Sequence, residues 1–392
     1  MPESRSTIRS PYMEFAKLHS HARYSLATSG VMNYPLADLA VSLADLEVSG
    51  PSYYGYEPLL ERLAAKCGTR PECVVHATGT SMANHLAMAA SFEPGDEVLI
   101  EQPTYELVVT TAQYLGAAVQ RFQRRFEQNF RLDPEEVERH VTPRTRLIVV
   151  TNLHNPSGAL ADETTLRRVG EIAAGVGARV LVDEVYLEAD FSRRTPSAFH
   201  LDETRFIITS SLTKAYGLSG LRCGWALAEP EMARRMWRIN DLYGVIPAHA
   251  AERLSVIALD NLDRISRRAQ ALLETNRILL HRFFDSRRDL AVFRPNGGTI
   301  AFPRLLAPHY TEPDPREGPA LLAPTPVDRL CDLLREKYET SVAPGRFFEM
   351  PDHFRLGIGG STEITAEALA RLGAALDELA EEVESRESKV ES

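Results

Sequence analysis

The sequence predicts an α/β protein, in which a large domain with a mostly parallel sheet flanked by helices precedes a smaller C-terminal α+β domain. Between about residues 73 and 230, short β-rich runs alternate with amphipathic stretches such as DETTLRRVGEIAAGVG. Runs such as TRLIVVTN and ARVLVDEV are nearly continuous Val, Ile and Leu, which is typical of strands buried on both faces. The length of 392 residues is too great for one ordinary core and suits two or three domains.

The elements of the large domain follow from these local patterns. Its predicted strands are CVVHAT, DEVLIEQ, AAVQRFQ, TRLIVVTN, ARVLVDEV, RFIITSS and CGWALA. Strand, helix and strand in succession favour a parallel sheet with helices on both faces. Residues 248–285 then predict one long helix or two in series. We expect a large domain at 46–285, and an arm at 1–45 that packs on the small domain or on a partner chain.

The pattern changes beyond about residue 290. The runs GGTIAFPRL, TSVAPG and HFRLGIGG predict short strands separated by helices, which places the small domain at 286–392. Its last helix, at about 364–384, carries Leu369, Leu372, Leu376 and Leu379 on one stripe. The proline-rich segment 306–327 predicts an irregular surface loop or lid.

Composition excludes several function classes. The formal net charge is −10, so we expect no nucleic-acid partner and no attraction to an anionic membrane. No apolar run approaches the length of a membrane span, and the four cysteines form no CxxC motif. These features predict a cytoplasmic protein. No metal site is predicted, because His19 and His21 have no supporting carboxylate or cysteine cluster.

Chemically distinctive residues follow the predicted strands. After five of the runs the chain reads GTSMANH, PTYE, LHNPSG, VYLE and LTKAYGLSGLR. Ligands of open α/β sheets bind outside the carboxyl ends of the strands. The sequence therefore predicts that these segments form one ligand site.

One end of that ligand is predicted to be a phosphate. The turn Gly79, Thr80 and Ser81 opens a helix, and such a turn directs backbone N–H groups at an anion. Ser211 adds a hydroxyl and Arg222 adds a bidentate guanidinium.

The other residues suit an aromatic ring. Tyr105 offers a flat face for stacking, and Asp183 suits a permanent positive partner such as a protonated pyridine nitrogen. Asn155 and Tyr186 can both hydrogen-bond a phenolate oxygen on the same ring. Lys214 can join an aldehyde as a Schiff base. A phosphorylated pyridine aldehyde is pyridoxal 5′-phosphate (PLP), which the sequence therefore predicts as the cofactor.

Four motifs carry a resemblance over roughly residues 25–385. The segments NLHNPSG, VDEVY, SLTKAYGLSGLRCGW and FRLGIGG resemble, in order, motifs of the fold-type I PLP enzymes and specifically of class I/II aminotransferases. The spacing also fits, since Asp183 stands 28 residues after Asn155 and Arg222 eight residues after Lys214.

The resemblance implies a role for each of these residues. Lys214 would bind the cofactor and move a proton between the substrate Cα and the cofactor C4′. Asp183 would keep the pyridine nitrogen protonated, Asn155 and Tyr186 would contact the ring oxygen O3′, and Tyr105 would stack on the ring. The residues that would hold the phosphate are Gly79, Thr80, Ser81, Ser211 and Arg222.

The resemblance also implies how substrate and partner chain bind. Arg355 would bind the substrate α-carboxylate, and Gly30 would pass close to the substrate, as would Asn155. A homodimer is implied, with a tyrosine that reaches the neighbouring site. Tyr53, Tyr54 and Tyr56 are candidates for that tyrosine, and Tyr54 is preferred. Residues 20–35 and 306–327 are expected to line the substrate pocket.

Two reactions remain open. The resemblance implies ping-pong transfer of an amino group from an L-amino acid to a 2-oxo acid. The segments SGVMNY, KAYGLSGLRCGW, GGTIAFPR and APGRFF also resemble capreomycidine synthase, which implies a PLP-dependent β-eliminating lyase or cyclase instead.

Two other function classes fit poorly. Ser211 and Lys214 match the S-x-x-K motif of penicillin-recognising hydrolases, but the accompanying tripeptides S-D-N and K-T-G do not occur in the sequence. A ligand-sensing regulator would be expected to carry a DNA-binding domain before the fold and to have lost the lysine.

Overall fold

The computed structural model describes residues 7–191, 195–306 and 325–390, with side chains described to residue 382. The chain divides into two compact units. The large unit contains Gly30–Ala271 and Pro295–Thr299, and the small unit contains Pro11–Ser29, Leu272–Arg294 and the described residues from Ile300 onward. The limits 1–45, 46–285 and 286–392 stay a prediction.

The strands are short in the small unit and longer in the large one. They are β1 (Tyr24–Ser25), β2 (Val74–Thr78), β3 (Glu97–Gln102), β4 (Ala118–Gln123), β5 (Thr145–Thr151), β6 (Arg179–Asp183), β7 (Phe206–Ser211), β8 (Cys223–Leu227), β9 (Leu290–Ala291), β10 (Ile300–Ala301), β11 (Arg304–Leu305), β12 (Thr340–Ser341), β13 (Ala343–Pro344) and β14 (Phe354–Gly357).

The helices include the two in series that the sequence predicted after residue 248. They are α1 (Pro11–Leu18), α2 (Glu57–Cys67), α3 (Thr80–Ser91), α4 (Glu106–Tyr114), α5 (Pro134–His140), α6 (Glu163–Gly175), α7 (Pro230–Asn240), α8 (His249–Asp260), α9 (Leu262–Asp285), α10 (Pro326–Glu336) and α11 (Thr362–Val390).

Helix starts are set by local side chains. The Asp162 side chain accepts from the Thr165 N–H at 2.8 Å and begins α6, and Thr325 and Asp328 cap each other at the start of α10. Because α10 begins at Pro326, the last two residues of the predicted loop 306–327 are helical rather than irregular. Residues 307–324 of that loop lie outside the described residues.

The large unit is built on a seven-stranded sheet in the order β2-β8-β7-β6-β5-β3-β4. Strand β8 runs antiparallel to β2 and β7, and the other neighbouring pairs are parallel. The mostly parallel sheet that the sequence predicted is therefore confirmed. The carboxyl ends of β3, β5, β6 and β7 lie at one edge, where ligands of such sheets bind.

Helix α3 packs on one face of this sheet. Its Ala83, Leu86 and Ala87 belong to the same buried apolar cluster as Leu181 of β6 and Ile207 of β7. Because side chains alternate along a strand, the positions two residues further on face the same side. Asp183 and Thr209 therefore lie on the face that α3 covers.

The small unit combines short strand pairs with helices. Strands β10, β14 and β13 form an antiparallel sheet, β9 pairs with β11, and β1 pairs with β12 in parallel. The predicted leucine stripe of the last helix is confirmed as buried, and it consists of Leu369, Leu372, Leu376 and Leu379. Among the described residues, no helix is long and apolar enough to cross a membrane. The cytoplasmic location stays a prediction.

Candidate active site

Asp183 ends the central strand β6 and is buried, with only 5% of its surface exposed. Its register partners are Thr151 of β5 and Thr209 of β7. The Asn84 side chain donates to its Oδ2 at 2.9 Å, and the Val185 N–H donates to its Oδ1 at 3.1 Å. Within the described part of the chain, Asp183 has no ion-pair partner within 4.0 Å.

The electrostatics of Asp183 reflect this setting. The pKa of Asp183 is raised from its ordinary 3.8 to about 6, mainly by burial and to a smaller extent by the negative charge of Glu101. The hydrogen bonds from Asn84 and Val185 and the charge of Lys214 lower the pKa, but they do not offset burial. A buried carboxylate of this kind suits a cationic ligand group.

Lys214 lies three residues beyond the end of β7 and is half-buried. Its Nζ is 6.0 Å from the centroid of the Tyr186 ring, and Tyr186 is buried. The backbone of Gly30 passes beside it, because the Val31 N–H donates to the Lys214 carbonyl at 2.8 Å. A Cβ at position 30 would lie 3.4 Å from both Cα and Cδ of Lys214, which is a tight contact.

A cradle for an anion lies where β2 passes into α3. Gly79 has a positive φ of 77°, a conformation that favours glycine, and a Cβ there would lie 2.2 Å from Nη2 of Arg222. No side chain caps the start of α3. The Oγ1 atom of Thr80 is buried and has no hydrogen-bond partner among the described residues. Free helix N–H groups, this hydroxyl and a guanidinium together match a phosphate.

Asn155 is buried, and its backbone belongs to a hydrogen-bonded network. Its backbone N–H donates to Thr151 Oγ1 at 2.9 Å, and that hydroxyl donates to Glu101 Oε1 at 2.6 Å. Glu101 also accepts from the Thr151 N–H at 2.7 Å and from Arg124 Nη1 at 2.7 Å. Neither side chain of the Glu101–Arg124 pair is exposed. This network fixes the loop that carries Asn155.

The remaining residues of the predicted cofactor site lie near these elements. Ser211 is buried at the end of β7 and accepts from the Thr213 N–H at 3.3 Å. Ser81 is exposed in the first turn of α3. Tyr105 is half-buried immediately before α4 and packs against the apolar cluster under α3.

Two further predicted residues make contacts of their own. Tyr54 is 49% exposed, its hydroxyl donates to Asp241 Oδ2 at 3.3 Å, and its ring meets Trp237 edge-on. Arg355 lies on β14 of the small unit and is buried; its Nη2 donates to the Tyr12 hydroxyl at 2.7 Å. Their predicted roles are not decided by these contacts.

Sequence reasoning missed several polar residues around the site, which are Asn84, Glu101, Arg124, Thr151 and Thr209. One of them could have been found from the sequence, because Asn84 is a polar residue in the largely apolar helix TSMANHLAMAAS, four positions after Thr80. The other four lie in strands or, for Arg124, directly after one, where nothing local distinguishes a buried network from an exposed face.

The donor set fits PLP on its own chemistry. The Thr80 hydroxyl without a partner and the cradle at Gly79 suit the phosphate. The buried Asp183 carboxylate suits a protonated ring nitrogen, and Lys214 suits the aldehyde.

Comparisons with known proteins agree with this fit. A sequence model of the family described as Aminotransferase class I and II matches residues 47–372. Capreomycidine synthase of Streptomyces vinaceus is 30% identical over 348 residues, which cover 86% of this chain and 85% of that protein.

Solved structures have the same fold. A PLP-dependent aminotransferase of Streptococcus suis 89-1591 superposes with a TM-score of 0.85 at 25% identity, covering 95% of this chain and 98% of that one. The PLP-dependent cyclase OrfR superposes with a TM-score of 0.83 at 25% identity, covering 94% and 97%. The chain belongs to the aminotransferase class I and II family, and it is a PLP-dependent enzyme.

Proposed function

We propose that this enzyme transfers an amino group from an L-amino acid to a 2-oxo acid by a ping-pong mechanism. The observation that supports it most is the Asp183 carboxylate, which is buried among neutral donors and has no ion-pair partner in the described ranges. When bound, PLP supplies an aldehyde for the incoming amino group and a protonated ring that draws electrons from the substrate Cα. Asp183 keeps that ring nitrogen protonated.

Lys214 is the proposed base. Its Nζ removes the proton from the substrate Cα and delivers a proton to the cofactor C4′, which is the step that distinguishes transamination from other reactions of PLP enzymes. The position of its Nζ near the Tyr186 ring supports this role, because Tyr186 and Asn155 are proposed to contact the ring oxygen O3′. Tyr105 is proposed to stack on the ring.

The phosphate is proposed to bind at the start of α3. Gly79, Thr80 and Ser81 offer helix N–H groups and hydroxyls, and Ser211 and Arg222 offer a further hydroxyl and a guanidinium. The buried Thr80 Oγ1 and the short approach of Arg222 to Gly79 support this placement.

Arg355 is the proposed partner of the substrate α-carboxylate, and Gly30 is proposed to pass close to the substrate. Arg355 is held in place by the Tyr12 hydroxyl at 2.7 Å and by the Ala27 carbonyl at 3.3 Å. Its guanidinium also lies 4.9 Å from the centroid of the Phe348 ring. A fixed, planar guanidinium is suited to a carboxylate.

A homodimer is also proposed, with Tyr54 reaching the neighbouring cofactor. A cluster of exposed apolar residues next to Tyr54 supports it, because large apolar patches mark protein interfaces. The cluster consists of Tyr53, Leu242, Tyr243, Val245 and Ile246, which are each more than half exposed.

A β-eliminating or cyclising reaction is the second candidate. It is favoured by the 30% identity to capreomycidine synthase over most of both chains and by the likeness to the cyclase OrfR. Both reactions need the same removal of the Cα proton by Lys214. They differ in whether a proton then reaches C4′ or a group leaves from Cβ.

One experiment separates the two reactions. The PLP-loaded enzyme is mixed with single amino acids, including arginine derivatives, without a 2-oxo acid. Transamination predicts one equivalent of pyridoxamine 5′-phosphate and one of 2-oxo acid per site, with further turnover only when a 2-oxo acid is added. Continued turnover without an acceptor, with no pyridoxamine 5′-phosphate, would contradict transamination and support elimination or cyclisation.

A further inference from the structure

A short chain of hydrogen bonds leads from β7 through α3 to Asp183. The Thr209 hydroxyl donates to Asn84 Oδ1 at 2.5 Å, and Asn84 Nδ2 donates to Asp183 Oδ2 at 2.9 Å. Thr209, Asn84 and Asp183 are each no more than 6% exposed. Water therefore does not compete for these contacts.

The fold itself brings the three side chains together. Thr209 is the register partner of Asp183 across β6 and β7, so both side chains point to the face that α3 covers. Asn84 lies one helical turn after Thr80 on α3.

The chain of bonds has a direction. A side-chain amide has an accepting end and a donating end, and it can rotate to exchange them. The Thr209 hydroxyl occupies the accepting end of Asn84, so the donating end must face Asp183. The Asp183 anion also favours this orientation, and the Thr209 hydroxyl, which donates to Oδ1, stabilises it further.

We propose that Asn84 and Thr209 are positioning residues that orient the Asp183 carboxylate and hold it in its anionic form for the cofactor ring nitrogen. The proposal rests on the role proposed for Asp183. Asn84 acts directly on the carboxylate, whereas Thr209 acts only through Asn84.

The charges around Asp183 determine the expected pH dependence. The charge of Glu101 on β3 raises the pKa of Asp183, and the charge of Lys214 lowers it. The pKa of the neighbouring Glu184 carboxyl is itself raised to about 8. The side chains that α3, β5 and β7 direct at Asp183 are the uncharged Asn84, Thr151 and Thr209.

Loss of the Asn84 hydrogen bond is expected to change the pH dependence of PLP binding. The hydrogen bond from Asn84 favours the anion, so its loss raises the pKa of Asp183 above the present value of about 6. At neutral pH a larger share of Asp183 is then protonated and cannot pair with a protonated ring. PLP affinity is therefore weakened most near and below neutral pH.

The test measures the PLP dissociation constant of the apoenzyme between pH 6 and 9. Asn84→Leu keeps the number and branching of the side-chain heavy atoms and removes the donor, so we expect its dissociation constant at pH 7 to rise by about tenfold or more. The pH below which affinity falls is expected to move upward. Thr209→Val is expected to give a smaller change of the same kind, about threefold, and the double variant is expected to match Asn84→Leu alone.

Two controls separate this role from packing. Thr209→Ser keeps the hydroxyl and should keep the wild-type dissociation constant and pH profile. Met88→Leu alters a fully buried apolar residue of the same helix and should change stability without changing the pH profile. If Asn84→Leu does not fold, the pair Thr209→Val and Thr209→Ser carries the test.

Asp183→Asn distinguishes failure of this inference from failure of the function on which it rests. If Asp183→Asn weakens PLP binding while Asn84→Leu and Thr209→Val stay within twofold of wild type at every pH, the positioning role is wrong and the role of Asp183 stands. If Asp183→Asn also leaves PLP binding unchanged, both are wrong.

Discussion

A buried carboxylate lies at the end of β3 and another at the end of β6, and the surroundings of the two differ. Glu101 on β3 pairs with Arg124 at 2.7 Å and also accepts two hydrogen bonds, from the N–H and the hydroxyl of Thr151. Asp183 on β6 has two neutral donors and, in the described residues, no ion-pair partner. A carboxylate completed inside the chain supports the fold, whereas one left without a cation supports binding of a cationic ligand.

The difference has an energetic consequence. A raised pKa means that the anion is destabilised in the folded state, so stability is lost as pH rises from the ordinary 3.8 through about 6. This rise corresponds to about 3 kcal/mol above pH 6 in the absence of a cation. A protonated ring nitrogen that binds beside Asp183 would offset this loss of stability.

The largest effect is expected at Lys214, the proposed base and attachment point of the cofactor. Lys214→Ala is expected to lower the rate of Cα proton removal on the order of 10⁴-fold, since it removes the general base. The measurement is exchange of the Cα hydrogen of a donor amino acid with solvent deuterium. Borohydride reduction and peptide mapping should find the cofactor on Lys214 in the wild type.

Lys337→Ala is the matched control, because Lys337 is an exposed residue paired with Glu378. It should keep both the exchange rate and the cofactor attachment. Recovery of the reduced cofactor on another lysine of Lys214→Ala, at wild-type level, would contradict the assignment.

Asp183→Asn tests the carboxylate that lacks a cation. The variant cannot hold the ring nitrogen protonated, so we expect the exchange rate to fall by about 10²- to 10³-fold. The free energy of unfolding of the apoenzyme should not fall, because no ion pair is broken, and above pH 6 it should rise by up to about 3 kcal/mol, because the buried anion is removed. Deuterium exchange at saturating PLP, together with chemical unfolding of the apoenzyme, measures both quantities; an unchanged exchange rate would contradict the role of Asp183.

Glu101→Gln tests the carboxylate that is paired with a cation inside the chain. It leaves the buried Arg124 guanidinium without a counter-charge, so the free energy of unfolding should fall by about 3–5 kcal/mol. The loss of the Glu101 charge lowers the pKa of Asp183, so the folded variant should still bind PLP. Denaturant unfolding of the apoenzyme is the measurement, and unchanged stability would show that the pair is not the structural element described.

Arg355→Lys tests substrate binding separately from cofactor binding. A lysine cannot form the bidentate pair with a carboxylate, so the KM of the donor amino acid should rise by about tenfold. The PLP dissociation constant should stay at the wild-type value. A loss of PLP affinity with unchanged KM would contradict the proposed role.

The smallest effect is expected for Tyr54→Phe, which removes one hydroxyl. If that hydroxyl binds the neighbouring phosphate, the PLP dissociation constant should rise by about three- to tenfold. Tyr53→Phe and Tyr56→Phe are the matched variants, and they should stay within twofold of wild type. A larger effect at either of them would move the assignment to that tyrosine.

Much of the site was predictable because strand ends carry distinctive residues. Asp183, Asn155 and Lys214 each follow a run of Val, Ile and Leu, and the sheet edge then brings these runs together. The cradle at Gly79 was also readable, since a Gly-Thr-Ser turn opening a helix has few other uses.

The supporting residues could not be read in this way. The roles of Asn84 and Thr209 depend on the register between β6 and β7 and on the rotation of α3 over them, which one sequence does not specify. Glu101 lies on β3 and Arg124 directly follows β4, 23 positions later, and only the pairing of these two strands brings them together as an ion pair. Arg355 was predicted through the family resemblance alone.

PLP binding is expected to supply a cation to Asp183 and not to Glu101. The most direct test is the rise in melting temperature that saturating PLP gives to wild type, Asp183→Asn and Glu101→Gln. The rise should be largely lost in Asp183→Asn, whereas Glu101→Gln should melt lower without PLP and keep a rise like that of wild type. A full PLP-induced rise in Asp183→Asn would contradict this expectation.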